Sequence, residues 1–210
     1  MPPSNTPLAN TPLAGVTVWF DYACPHSYIG LRQLEELAST LGFEIDRRPF
    51  LMRPGAVEKA AAPTAPGDVA DGRRRRPLYR PGEGSVTEPA SNRSVSNLLV
   101  HAATACAKGH GLDGPFYRAA SKEYWELGTD LGILYTLRRV ATSVGLDWGD
   151  LWPKLDSGRY HDLVLAQHGE AKAAGVVRTP SFLIGGRLHS GPVGGEELKE
   201  AVGSAFQAAQ

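Results

Sequence analysis

The chain has 210 residues, 42% hydrophobic and 21% charged, which excludes a wholly disordered polypeptide and suffices for one domain with a core, or one domain carrying a large insertion. Its 22 Lys and Arg balance 22 Asp and Glu, so there is no net field to hold a polyanion, and nucleic acid is a poor candidate partner. No apolar run approaches the roughly 20 residues of a membrane span, two cysteines do not make a disulfide scaffold, and the stretch from Met1 to Gly15 lacks the basic and apolar regions of a secretory signal; the expected compartment is the cytoplasm, with no membrane partner.

Residues 1–14 mix Pro, Asn, Thr and Ala without periodicity and read as a disordered tail. Order is expected to start at Val16–Phe20, a β-branched and aromatic run suited to a buried strand. After the sequence DYACP, Leu31, Leu34, Leu37, Ala38 and Leu41 recur at helical spacing, and Gly42 is the expected stop. Phe43–Phe50 then reads as a second strand, so the first part of the chain is a βαβ unit with a parallel pair. Residues 53–90 are rich in Pro and Gly and carry the run Arg73–Arg76; this stretch reads as a long solvated loop.

From Ser91 to Gly158 the pattern is helical. Leu98, Leu99, Ala102, Ala103, Cys106 and Ala107 share one face; Leu127, Leu131, Leu134, Leu137, Ala141 and Val144 mark another helix, stopped by Gly145. A helix over Tyr160–Ala174 follows. Strand character returns in SFLIGGRLH, where Gly185-Gly186 signals a two-residue hairpin, and a closing helix runs from Gly195 to about Ala208. The order β-α-β, helical block, α-β-β-α places two halves of one small sheet on either side of an inserted bundle.

The chemistry is expected where the first strand gives way to the first helix. Cys24 precedes Pro25, a residue favoured in a helical first turn. At a helix N-terminus, unpaired amides and the positive end of the dipole favour a thiolate. Charge on His26 and a hydrogen bond from the Ser27 hydroxyl would add to this, making Cys24 a nucleophile; the alternative is a half-buried structural cysteine at a strand end. Thr179-Pro180 precedes the second sheet half; a cis bond there would leave the backbone of Arg178 or Thr179 free to pair with an extended ligand. Cys106 sits on an apolar helical face and reads as core. The scattered His101, His110, His161, His168 and His189 form no metal-ligand pair, so no metal is expected. Phe116, Tyr117, Tyr124 and Trp125 read as core rather than as the lining of a cleft, and Trp19 and Tyr22 as packing residues.

DYACPHSY, RPFLMRP, the Ser91-Asn92 pair, GVVRTPSFLIGGR and GPVGGEEL together resemble the DsbA family, within it the branch that includes 2-hydroxychromene-2-carboxylate isomerases and kappa-class glutathione transferases. The resemblance implies an α/β, thioredoxin-like fold formed by residues 15–52 and 159–210, with a helical insertion over 91–158. It assigns the nucleophilic position to Cys24, the cis-proline to Pro180, and a place near the thiol cofactor to Asn92. Ser27 stands where dithiol members have a second cysteine, so no disulfide closes across the motif. Exchange at Cys24 would then be completed by glutathione or another low-molecular-weight thiol, acting as co-substrate rather than as a tightly bound cofactor.

Three functions follow as expectations. The first is a monothiol oxidoreductase using Cys24, His26 and Ser27, with Pro25, Asn92, Thr179 and Pro180 contacting small or protein disulfides. The second is a thiol-dependent isomerase or transferase of small aromatic compounds, in which Cys24 or Ser27 activates the cofactor thiol. The third is a non-catalytic module that binds a thiol or a protein. Homodimers are common among the relatives.

Overall fold

The computed structural model describes residues 15–52 and 97–207. The expected tail over 1–14, the stretch 53–90 and Asn92 lie outside the described residues. In chain order the elements are β1 (Gly15–Phe20), α1 (Pro25–Leu41), β2 (Glu44–Pro49), α2 (Asn97–Lys108), α3 (Asp113–Trp125), α4 (Leu134–Ser143), α5 (Trp148–Asp156), α6 (Arg159–Ala173), β3 (Ser181–Ile184), β4 (Arg187–Ser190) and α7 (Gly195–Gln207). The strands form one sheet in the order β2-β1-β3-β4. β1 runs parallel to β2, with Val18 opposite Arg47, and antiparallel to β3, with Val18 opposite Phe182. This is the expected thioredoxin-like arrangement with a helical insert.

Side chains of a strand alternate between its faces. Accordingly Val16, Val18 and Phe20 of β1 enter the main core, while Trp19 turns the other way onto Phe50, Ala171 and Val176. Along α1 the apolar stripe is graded: Leu31 and Leu34 are fully buried, Leu37 and Ala38 half-buried, and Leu41 exposed. Gly42 then caps the helix, its N–H donating to Ala38 O at 2.8 Å. At Gly30 the absence of a side chain has a use. A Cβ there would lie 2.9 Å from Phe182 Cζ and 3.5 Å from Pro180 Cγ, so glycine lets α1 settle onto the start of β3. The β3–β4 hairpin closes through Gly185 and Gly186, both at positive φ (53° and 79°), as a two-residue turn of this hand requires.

One expected helix is shorter than its pattern. Leu127 and Leu131 have helical spacing, yet α4 begins only at Leu134. Gly128 takes φ 67°, which diverts the chain, and the Gly132 amide donates to the Asp130 side chain at 2.8 Å instead of to a helical carbonyl. Leu131 is nevertheless fully buried, from a loop, whereas Leu127 is exposed.

The inserted helices have an aromatic core. Phe116, Tyr117, Tyr124 and Trp125 are all buried, as are Trp19 and Tyr22. Tyr117 packs edge-on against Phe20 with centroids 5.0 Å apart, and Trp125 stacks on Tyr28 of α1 at 5.6 Å. Cys106 is buried on α2 and is a free thiol.

Candidate active site

β1 ends at Phe20, and the chain turns through Asp21-Tyr22-Ala23 before α1 begins. The turn is closed by the Cys24 N–H, which donates to Asp21 O at 3.0 Å. Cys24 is the N-cap of α1 and Pro25 its first residue, so the sulfur takes the place of the usual capping oxygen. Cys24 Sγ accepts a hydrogen bond from the Ser27 N–H at 3.4 Å. It also donates to the backbone oxygen of Thr179 at 3.5 Å, across 155 residues of sequence. The Thr179–Pro180 bond is cis, and Gly191 N–H donates to Pro180 O at 2.8 Å. The fold thus brings together Cys24, Pro25, Ser27, Thr179 and Pro180.

One of the hydrogen bonds expected at the sulfur is not made. His26 is exposed on the second position of the helix. The Ser27 hydroxyl lies beneath the loop, where it accepts the Asp21 N–H at 3.5 Å instead of donating to sulfur. What remains is the helix terminus itself: Ser27 contributes its amide, and the first turn of α1 carries no acidic side chain to offset the dipole. The sulfur is therefore placed between one backbone donor and one backbone acceptor. As a thiol it satisfies both, accepting from the Ser27 amide and donating to the Thr179 carbonyl.

Cys24 exposes only 2% of its surface. Beside it, the Thr179 hydroxyl is buried without a hydrogen-bond partner among the described residues. Such a group is costly to leave unmet.

Asp21 was not among the residues expected from sequence. It is 2% exposed, and its carboxylate accepts from Ala23 N–H at 2.8 Å, from Met52 N–H at 2.7 Å, and from the Asn97 side-chain amide. A buried carboxylate with several N–H donors is stable as an anion. Here it ties the loop before Cys24 to the residues following β2 and to the first residue of α2. The signal available in the sequence was an acidic residue directly after a buried strand.

Comparison with known proteins agrees with this architecture. The family model of the DSBA-like thioredoxin domain matches residues 15–203. YwbO of Bacillus subtilis (strain 168), an uncharacterized protein, is 23% identical over 200 residues, covering 89% of this chain and 94% of its own. A probable DsbA oxidoreductase from Streptomyces coelicolor superposes with a TM-score of 0.68 at 20% identity, over 92% of this chain and 90% of its own. A 2-hydroxychromene-2-carboxylate isomerase does so with a TM-score of 0.67 at 14% identity, over 92% and 95%. The chain described here belongs to the DSBA-like thioredoxin domain family.

Proposed function

We propose that this protein is a thiol–disulfide exchange enzyme that works with one cysteine. The Cys24 thiolate attacks the glutathionyl sulfur of a mixed disulfide between glutathione and a small thiol. A Cys24–glutathione disulfide forms, the original disulfide breaks, and the small thiol leaves, taking a proton from solvent. The thiolate of a second glutathione then attacks the glutathionyl sulfur, releasing oxidised glutathione and restoring Cys24. Two electrons pass from glutathione to the substrate, and no second protein sulfur takes part.

The observation that carries this reading is the contact set of Sγ: a helix-terminal amide at 3.4 Å on one side and the Thr179 carbonyl at 3.5 Å on the other, with serine at position 27. A hydroxyl cannot resolve a mixed disulfide, so an external thiol must. A thiol-rich, reducing compartment suits such a cycle, which supports the cytoplasm.

The test is turnover of the mixed disulfide of cysteine and glutathione, followed as oxidised glutathione. Cys24→Ala should abolish it, and unchanged turnover would remove Cys24 as the nucleophile. The likeness to the isomerase, together with Ser27, favours a second reading, a glutathione-dependent isomerisation of small aromatic compounds. A glutathione-dependent absorbance change of a hydroxychromene carboxylate would support it, and a flat trace would end it.

A further inference from the structure

One side chain of α6 reaches the residues that follow β2 and, through them, the loop that presents Cys24. His168 is buried, and its Nδ1 accepts the Leu51 N–H at 3.2 Å, from 117 residues away. Its ring also meets Phe50 edge-on, with centroids 4.7 Å apart.

The next residue along the chain carries this hold toward the sulfur. The Met52 N–H donates to Asp21 Oδ2 at 2.7 Å, and the Ala23 N–H to Oδ1 of the same carboxylate at 2.8 Å. The Asp21 backbone oxygen in turn accepts the Cys24 N–H at 3.0 Å. Three consecutive amides are thereby pinned to three different segments: Phe50 to Phe20 O of β1 at 2.9 Å, Leu51 to His168 of α6, and Met52 to Asp21. Leu51 is itself buried, so loss of its acceptor leaves a costly unmet donor.

An imidazole nitrogen accepts only while it carries no proton. Burial, then the charge of Lys172, holds His168 below the ordinary 6.5, so Nδ1 is free to accept at neutral pH. The other groups on this side leave it so. His101 on α2 is neutral, pushed down by burial to about 3. Arg48 and Asp46, on the side of β2 that continues into Phe50, are paired with each other at 2.7 Å. We propose that His168 is a positioning residue for Cys24: its Nδ1 holds Leu51 so that Met52 meets Asp21, and Asp21 fixes the turn that presents the sulfur. A proton on Nδ1 releases that hold and couples thiol exchange to a side chain on another helix. The inference rests on the exchange chemistry proposed for Cys24.

The test compares His168→Phe, which keeps a ring against Phe50 but deletes the acceptor, with His168→Asn, whose side-chain oxygen can stand in for Nδ1 without titrating. Two readouts are taken at pH 7.5: the rate at which Cys24 takes up glutathione from oxidised glutathione, and the protection of single amides against hydrogen exchange. In His168→Phe the rate should fall about tenfold, toward the low end for a buried N–H left unmet, and His168→Asn should restore it to within about twofold. Protection of the Met52 and Ala23 amides should fall about tenfold further than that of Leu137, which donates to Ile133 O at the start of α4. Wild type and His168→Asn are then compared from pH 7.5 to 4.5, where the titration of Cys24 cancels in the ratio of their rates. That ratio should fall in step with the protonation of His168, read from its ring nitrogen shifts; this arm decides if His168→Phe does not fold. An unchanged rate in His168→Phe, no recovery in His168→Asn, an equal fall at Leu137, or a ratio flat through the titration would each overturn the proposal. If wild type takes up no glutathione, the exchange chemistry fails, and the amide protections alone decide the positioning.

Discussion

Asp21 and Cys24 divide the work of the loop between them: one holds the loop in place, the other presents the sulfur. The Asp21 carboxylate gathers N–H donors from Ala23 of the loop itself, from Met52 after β2 and from Asn97 at the start of α2. Replacing it by asparagine turns one acceptor oxygen into a donor facing donors. Asp21→Asn should therefore cost about 2 kcal/mol in unfolding free energy, the scale of a charge-assisted bond lost inside a protein. Urea unfolding checks this, and a change under about 0.5 kcal/mol would show that the three donors do not depend on the carboxylate. Cys24 itself depends on two backbone groups, so side-chain changes at His26 should leave the sulfur's surroundings intact.

At the scale of elements, α1 is the part on which the site depends, since its first turn supplies the amide at the sulfur and its flank rests on Phe182 and Pro180. Gly30 permits that contact. An alanine would gain up to about 1 kcal/mol in helix propensity. Its Cβ, however, would meet the Phe182 ring at 2.9 Å, and overpacking of a buried site costs about 1–3 kcal/mol. Phe182 is fully buried and has little room to yield, so Gly30→Ala should lower the urea midpoint; a raised midpoint would show that the ring moves freely. The elements differ in how plainly the sequence announces them. Val16, Val18 and Phe20 of β1 and Leu31 and Leu34 of α1 do so because local alternation and helical spacing map directly onto buried faces. Leu127 and Leu131 mislead, because an i, i+4 pair looks the same in a helix and in a loop that buries one of its two leucines. Gly128 was the discriminating residue between them.

The whole molecule carries an acid sensitivity in its histidines. Burial pushes His101 down to about 3 from an ordinary 6.5. Burial, then Lys172, also lowers His168, whose Nδ1 accepts the Leu51 N–H at 3.2 Å in the unprotonated form. As pH falls below 6.5 the unfolded chain takes up protons that the folded chain refuses. Stability is thus full above 6.5 and is lost toward the folded values, at up to about 1.4 kcal/mol per pH unit for each such histidine. Urea unfolding at pH 7.5, 6, 5.5 and 5 (roughly one to two units across the window) should show this decline, and His101→Phe should make it shallower; an unchanged slope in the variant would contradict the assignment. This long-range level was the least legible from sequence. That Cys24 opens a helix follows from its neighbours, and Pro180 was implicated by its place before a strand as well as by resemblance. That Thr179 O would face the sulfur, or that Asp21 would reach Met52 and Asn97, depends on contacts between distant segments that no local pattern encodes.

The central claim, that one sulfur forms the mixed disulfide and no other resolves it, is tested most directly by intact mass spectrometry after exposure to oxidised glutathione. The account predicts a single glutathione on the wild-type chain, located at Cys24, absent from Cys24→Ser and removed by added reduced glutathione. An adduct on Cys106, a Cys24–Cys106 disulfide, or no adduct at all would contradict it.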